Sequence, residues 1–255
     1  MNEENPTGLQ ETEPVTQYEE LSKAEAMAGV FTAPGETFEA IAGAPRKNYW
    51  ILPVLICVVV GLISAFLFMQ DNELATKTMD KQKKKMREKF EQSVKEGKMS
   101  QEDVEKTMDT MNPKGTMFKI FGFGGAVIGP FLILFILGLI YLVILKIMKS
   151  PVDFVNILNV VGLAMLITAV GSLLSVVASI LKGDTTSIGL GLVLGESAVG
   201  EKVYALISKF DVFSIWFYVV ISIGLSKVAK IDMIKSASIA FGLFLFYAIV
   251  TSLVF

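Results

Sequence analysis

The chain has 255 residues, 53% of them hydrophobic, and 25 acidic against 23 basic side chains give a net charge of −2. It holds no histidine and one cysteine, Cys57, which excludes an intrachain disulfide and removes both the commonest general base and a thiolate metal site. The apolar share, with a mean hydropathy of +0.58, exceeds that of an ordinary soluble domain and points to membrane.

Residues 1–26 carry seven glutamates and one lysine, with Pro6 and Pro14. This composition predicts a disordered acidic tail, and its polarity is the reverse of a cleavable signal peptide. The first span is therefore expected to target the chain and stay in it. Residues 27–47 predict a juxtamembrane helix lying on the membrane surface. Thr32 stands where a cap is wanted, Pro34 fits a first turn, and Glu36 and Glu39 lie near the positive helix end. Phe38, Ile41 and Ala42 share one face.

A helix needs about 20 apolar residues to cross hydrocarbon. Residues 48–69 supply the first span, uncharged from Trp50 to Met69. Arg46 and Lys47 followed by Tyr49 and Trp50 mark a cytoplasmic boundary, and Asp71 and Glu73 stand at the other end. Residues 70–117 form a hydrophilic insertion. Ala75, Met79, Met86, Phe90 and Val94 fall on one helical face, and Gly97 breaks the pattern. Ser100 followed by Gln101, Glu102 and Asp103 resembles a capping box opening a second helix, in which Val104, Met108 and Met111 repeat. Asn112, Pro113 and Gly115 end it. The expectation is an extracytoplasmic helical hairpin with its two narrow stripes facing each other. Six methionines between Met79 and Met117 invite a Cu(I) reading, because thioethers suit that ion. Most of them sit on the apolar faces, with no His or Cys beside them, so packing is the preferred role and no metal or cofactor is expected.

Residues 118–255 predict a four-helix membrane bundle, with spans at 118–145, 154–181, 211–229 and 235–255. In the second span Gly125 and Gly129 form a G-x-x-x-G pair ahead of Pro130, a pattern for close helix packing, with a substrate-lining kink as the sharper alternative. The third carries Asn156 and Asn159, then two rows of small residues, Ala164, Thr168, Ser172 and Gly171, Ser175, Ser179. It is expected to be the most enclosed. Residues 188–199 are apolar but too short to cross, and read as interfacial or partly re-entrant; Glu201 to Lys209 suits a short amphipathic helix. Asp211 stands where it caps the fourth span, and Trp216 lies about one turn deeper, within reach of the interface. Lys227, Lys230 and Lys235 cluster in the last turn.

The fold class is thus an all-α integral membrane protein with five transmembrane helices and an extramembrane helical hairpin between spans 1 and 2. Outside the long insertion, whose charges count little, lysines and arginines favour the amino-terminal side of the first span. The expected setting is a bacterial inner membrane, amino terminus cytoplasmic and carboxyl terminus outside. No P-loop or Rossmann fingerprint and no intramembrane carboxylate pair supports an enzyme. An ion-coupled transporter would hold an ionisable group inside its bundle, and no span centre has one. A membrane scaffold or adaptor fits best, contacting the bilayer and a protein partner through the acidic tail or outer hairpin, with homo-oligomerisation open and no nucleic acid. The alternative is an uncoupled transporter or lipid-handling protein resting on Asn156, Asn159, Thr168 and Ser172.

The segment FDVFSIWFYVVISIGLSKVAKIDMIKSASIAFGLFLFYAI, residues 210–249, resembles the closing signature of the Yip-domain family, five-span proteins whose eukaryotic members interact with Rab-type GTPases. Asp211, Phe213 and Trp216 match the opening of the family's fourth span, Gly224 and Leu225 its close, and Lys235, Ser236 and Ala237 the start of its fifth. SPVDFVNILNVVGLAML is similar to the family's third-span opening, and VFTAPGETFEAIAGAPR to its Pro-x-x-x-Phe-x-x-Ile juxtamembrane segment. The insertion falls outside the resemblance. The eukaryotic acidic-Leu-x-Gly-Pro and Gly-Tyr segments are not evident, so Rab binding is not carried over. The resemblance implies a cytoplasmic amino terminus, a five-helix bundle and no reaction.

Overall fold

The structure, a computed structural model, describes residues 20–110, 115–186, 188–189, 194 and 199–254. In chain order the helices are α1 (Lys23–Thr32), α2 (Pro34–Gly43), α3 (Ile51–Gln70), α4 (Asn72–Lys95), α5 (Gln101–Thr110), α6 (Thr116–Ile147), α7 (Phe154–Lys182), α8 (Glu201–Ile207), α9 (Val212–Ala229) and α10 (Met233–Val254). Five of them are long and apolar enough to cross a membrane: α3, α6, α7, α9 and α10.

α7 is the axis of the bundle. Its residues from Ile157 to Ile167 are buried without a break. α3 and α6 pack on one side of it and α9 on another, with α10 against α9 and α8 against α10. The enclosed third span expected from its small residues is this helix. Gly162, Gly171 and Gly224 explain why the neighbours come so close. A Cβ on Gly162 would lie 2.6 Å from Trp50 Cβ, one on Gly171 2.6 Å from Phe213 Cβ, and one on Gly224 2.5 Å from Val160 Cγ1.

Side-chain and backbone bonds define two ends. At one, Arg46 pairs with Asp153 at 2.9 Å, Lys227 with Glu39 at 2.6 Å, and Ser150 Oγ donates to Ala229 O at 2.9 Å. At the other, Lys77 Nζ donates to Gly183 O at 3.1 Å and Lys81 pairs with Asp184 at 3.1 Å. There, too, Gly189 bridges antiparallel to Asp211, and Val212 N donates to Ile188 O at 3.3 Å. The rest of the 188–199 segment lies largely outside the described residues.

The insertion folds as two helices, α4 and α5, with Gly97 at φ 71 between them. Ser100 Oγ accepts from Asp103 N at 3.1 Å and donates to Asp103 Oδ2 at 2.6 Å, so a shared cap starts α5. Met79, Val104 and Met108 are buried. The start of α4 is not free of the bundle, since Lys77 and Lys81 tie it to the end of α7.

The segment before the first span differs from the sequence reading. It is two helices, and the first begins inside the stretch assigned to the tail. Ser22 caps α1 through a capping box with Glu25, its Oγ accepting from Glu25 N at 3.1 Å while Ser22 N donates to Glu25 Oε2 at 2.8 Å. Residues 1–19 of the tail lie outside the described residues. Thr32 ends α1 instead of capping α2; its Oγ1 donates to Ala28 O at 3.3 Å. Ala33 turns the chain at φ −146 and ψ 61, and Pro34 opens α2.

Candidate functional site

α1 and α2 form a tight hairpin that lies along the bundle. Gly29 leaves room for the Thr37 side chain opposite, so the two helices touch. Val30 and Phe38 are fully buried, and Ile41 is 3% exposed. Their apolar faces meet α7 and α9, not a membrane surface. The contacts climb α9 from its end inward: Glu39 pairs with Lys227, Phe38 presses where Gly224 lacks a side chain, Gly35 faces Ile223, and Phe31 meets Trp216 edge-on at 5.6 Å. From Lys227 to Trp216 is about 16 Å of helix at about 1.5 Å per residue. α9 has 18 residues, about 27 Å, against about 30 Å of hydrocarbon. The hairpin thus lies along more than half the length of α9, with its turn at Ala33.

The hairpin's mouth is held by the start of α3. Tyr49 Oη donates to Leu21 O at 2.8 Å, and Lys47 pairs with Glu20 at 2.8 Å. Below it sits Asn159 of α7, fully buried. Its Oδ1 accepts from Tyr49 N at 2.8 Å and Trp50 N at 3.2 Å, and its Nδ2 donates to Lys47 O at 2.8 Å. The first N–H groups of any helix lack partners, and Trp50 gives α3 no side-chain cap. Asn159 supplies one from a different helix. One turn on, Gly162 lets Trp50 seat against α7. Asp153 completes the mouth. Its Oδ1 accepts from Asn156 N at 3.1 Å, capping α7, and from Arg46 Nη2 at 2.9 Å. Partial burial pushes the Asp153 carboxyl up, but the Arg46 guanidinium and the Asn156 N–H outweigh it and hold the group below the ordinary carboxylate range.

The residues singled out by sequence pattern fall in three places. Asp211, Phe213 and Trp216 share the first turns of α9. Asp211 Oδ1 accepts from Phe213 N and Ser214 N, each at 2.9 Å, and Ser214 Oγ donates to Asp211 Oδ2. Phe213 fills the space that Gly171 leaves. Trp216 meets Phe31 at the tip of the hairpin. Lys235 is exposed in the first turn of α10, at the other end. Gly125 and Gly129 are on α6 with nothing within 4 Å of a Cβ built on either. The close approach expected of them is made elsewhere. Pro130 has no N–H, which takes away the intrahelical donor to Ala126 O. A Cβ on Gly61 of α3 would lie 3.4 Å from that oxygen and 3.4 Å from Ala126 Cβ. The α3–α6 crossing thus rests on Gly61 and Ala126.

Sequence reasoning missed the clamp and the hairpin. In sequence Asn159 reads only as a polar group in a span; the usable signal is an amide three residues before Gly162 in an otherwise apolar stretch of helix. Among the described residues no three of His, Cys, Asp and Glu gather as a metal site.

The fold is that of a five-span helical membrane protein with an amino-terminal helical hairpin packed against the bundle. The model of the Yip1 domain matches residues 28–255, nearly the whole chain and the α4–α5 insertion with it. The chain belongs to the Yip1-domain family. It is 26% identical over 234 residues to the membrane protein YknW of Bacillus subtilis (strain 168), a match covering 89% of this chain and 89% of that one. No solved structure matches the chain at a significant level.

Proposed function

We propose that this protein is a non-catalytic membrane scaffold or adaptor and that the α1–α2 hairpin is the face it offers a partner inside the bilayer. The observation that carries this reading is the hairpin's outer surface. Ala24, Ala28, Thr32, Glu36 and Glu39 are exposed there, and no large apolar side chain is. α6 shows the opposite pattern, with Leu132, Ile136, Ile140 and Val143 all exposed. A carboxylate such as Glu36 facing hydrocarbon is costly, whereas small residues and an acid suit close contact with another helix. We also place the amino terminus in the cytoplasm of a bacterial inner membrane, because Arg46, Lys47, Lys227 and Lys230 gather at the end where the chain begins.

A photo-reactive residue placed at Ala28, Thr32 or, as a lipid-facing control, Leu139 tests the adaptor reading in native membranes. Discrete protein adducts at 28 and 32, absent at 139 and lost with Glu36→Lys, support it. Lipid adducts alone at all three positions overturn it. Orientation is read separately, with Ser100→Cys in a Cys57→Ser background: labelling from the cytoplasmic side would reverse the topology.

A further inference from the structure

Among the described residues, the non-glycine positions with positive φ are Lys149 at φ 61 and Lys230 at φ 51. Each stands just past the end of a helix in the same motif. Ser150 N donates back to Leu145 O at 2.9 Å, and Ile231 N to Ser226 O at 3.1 Å, the long return bond of a left-handed helix stop. Glycine is the ordinary occupant, because a side chain there is strained. This chain uses glycine at other such turns: Gly183 ends α7 at φ 68, and Gly97 separates α4 from α5 at φ 71. Both lysine stops lie at the opposite end, and they are neighbours. Ser150, 7% exposed, donates from Oγ to Ala229 O at 2.9 Å, so Lys149 and Lys230 flank the bond that joins their loops.

Two lysines therefore hold positions where glycine is conformationally cheaper, side by side, at one membrane boundary. Strain retained at such a site is a pointer to use of the side chain. The surrounding charges sharpen the reading. Lys146, in the last turn of α6 with its Nζ 3.5 Å from Ser150 O, and Lys235, in the first turn of α10, are exposed beside these two stops. Of the nearby acids, Glu39 pairs with Lys227 at 2.6 Å and Asp153 with Arg46 at 2.9 Å, while Asp232, whose Oδ1 accepts from Ile234 N at 2.8 Å, remains one charged acid beside four lysines. Beside the lysines, Ile147 and Ile234 are each 76% exposed. A cationic cluster bordered by bare aliphatic side chains matches a molecule with an anionic head and an acyl body.

We propose that Lys149 and Lys230, with Lys146 and Lys235, form a binding site for the headgroup of an anionic phospholipid in the leaflet this end of the bundle meets. The test uses the full chain in an uncharged detergent, titrated with phosphatidylglycerol, phosphatidylcholine or inorganic phosphate, with thermal unfolding as the readout. Phosphatidylglycerol is expected to raise the unfolding midpoint, and the other two to leave it near its starting value. The K149G/K230G variant is expected to melt at or above the wild-type midpoint without lipid, since strain is relieved, and to lose at least half of the phosphatidylglycerol shift. K84Q/R87Q, on α4 at the far end, should keep it. An undiminished shift in K149G/K230G overturns the site. A lower lipid-free midpoint for that variant refutes the strain argument, and an equal response to inorganic phosphate refutes the lipid as ligand.

Discussion

Replacing Asn159 by Leu keeps the branching and heavy-atom count of the side chain, with bulkier methyl ends, and removes three hydrogen bonds at once. Tyr49 N and Trp50 N lose their acceptor and Lys47 O loses a donor. The site is closed to solvent, because Asn159 itself has 0% exposure and Tyr49 2%. Leaving a buried donor unmade costs about 1–3 kcal/mol. Trp50 N is only partly buried and recovers some of this, so the expected loss is about 2–5 kcal/mol. Asn156→Leu, one turn earlier on α7 and half-buried, makes no comparable side-chain bond and should stay within about 0.5 kcal/mol. Equilibrium unfolding in mixed micelles of rising denaturing-detergent fraction measures both. Limited proteolysis of residues 44–48 adds a local readout, since an unclamped α3 start should be cut faster. If Asn159→Leu unfolds with the wild type, the cross-helix cap is not what seats α3, and the reasoning fails.

The same unfolding assay separates two glycines. Gly162→Ala drives a Cβ to 2.6 Å from Trp50 Cβ and 2.9 Å from Trp50 Cα, an overpacking cost of about 1–3 kcal/mol, whereas Gly125→Ala meets open space and should be neutral or gain up to about 1 kcal/mol. Asp211→Leu should lose about 0.5–2 kcal/mol of capping, with Asp211→Asn milder; an Asn variant as damaged as Leu would point to a need for the charge. For Asp153 the folded pKa lies below its ordinary 3.8, so its contribution is full above that value and is lost as pH falls through the lower folded one. Unfolding curves at pH 7 and pH 3 should therefore converge in Asp153→Asn relative to wild type.

The spans were readable because hydrocarbon imposes a length and forbids charge: the uncharged run from Trp50 to Met69 became α3 at Ile51–Gln70. The Asp211 cap was readable because capping is local. What sequence hid was the partner of each surface. The apolar face of Phe38 and Ile41 has the same spacing whether it meets lipid headgroups or α9. Only the packing of residues far apart in the chain, with Gly224 leaving room for Phe38, decides between them. Gly125 and Gly129 fail for the same reason. Their spacing permits a close neighbour, but topology puts Gly61 and Gly162 at the crossings. Strain at Lys149 and Lys230 leaves no trace in composition at all.

The amino-terminal hairpin also sets a timetable for biogenesis. Among the described residues it is the first element to leave the ribosome, yet its seat on α9 is among the last to be made: Glu39 and Lys227 are 188 residues apart. At synthesis rates of about 5–20 residues per second, that gap lasts on the order of ten to forty seconds. Throughout it, Val30, Phe38 and Ile41 have no fifth-of-a-bundle to hide in and must be sheltered by lipid, translocon or chaperone. A nascent chain arrested before residue 212 should accordingly carry an amino terminus that is open to protease, and one released after residue 229 should close it.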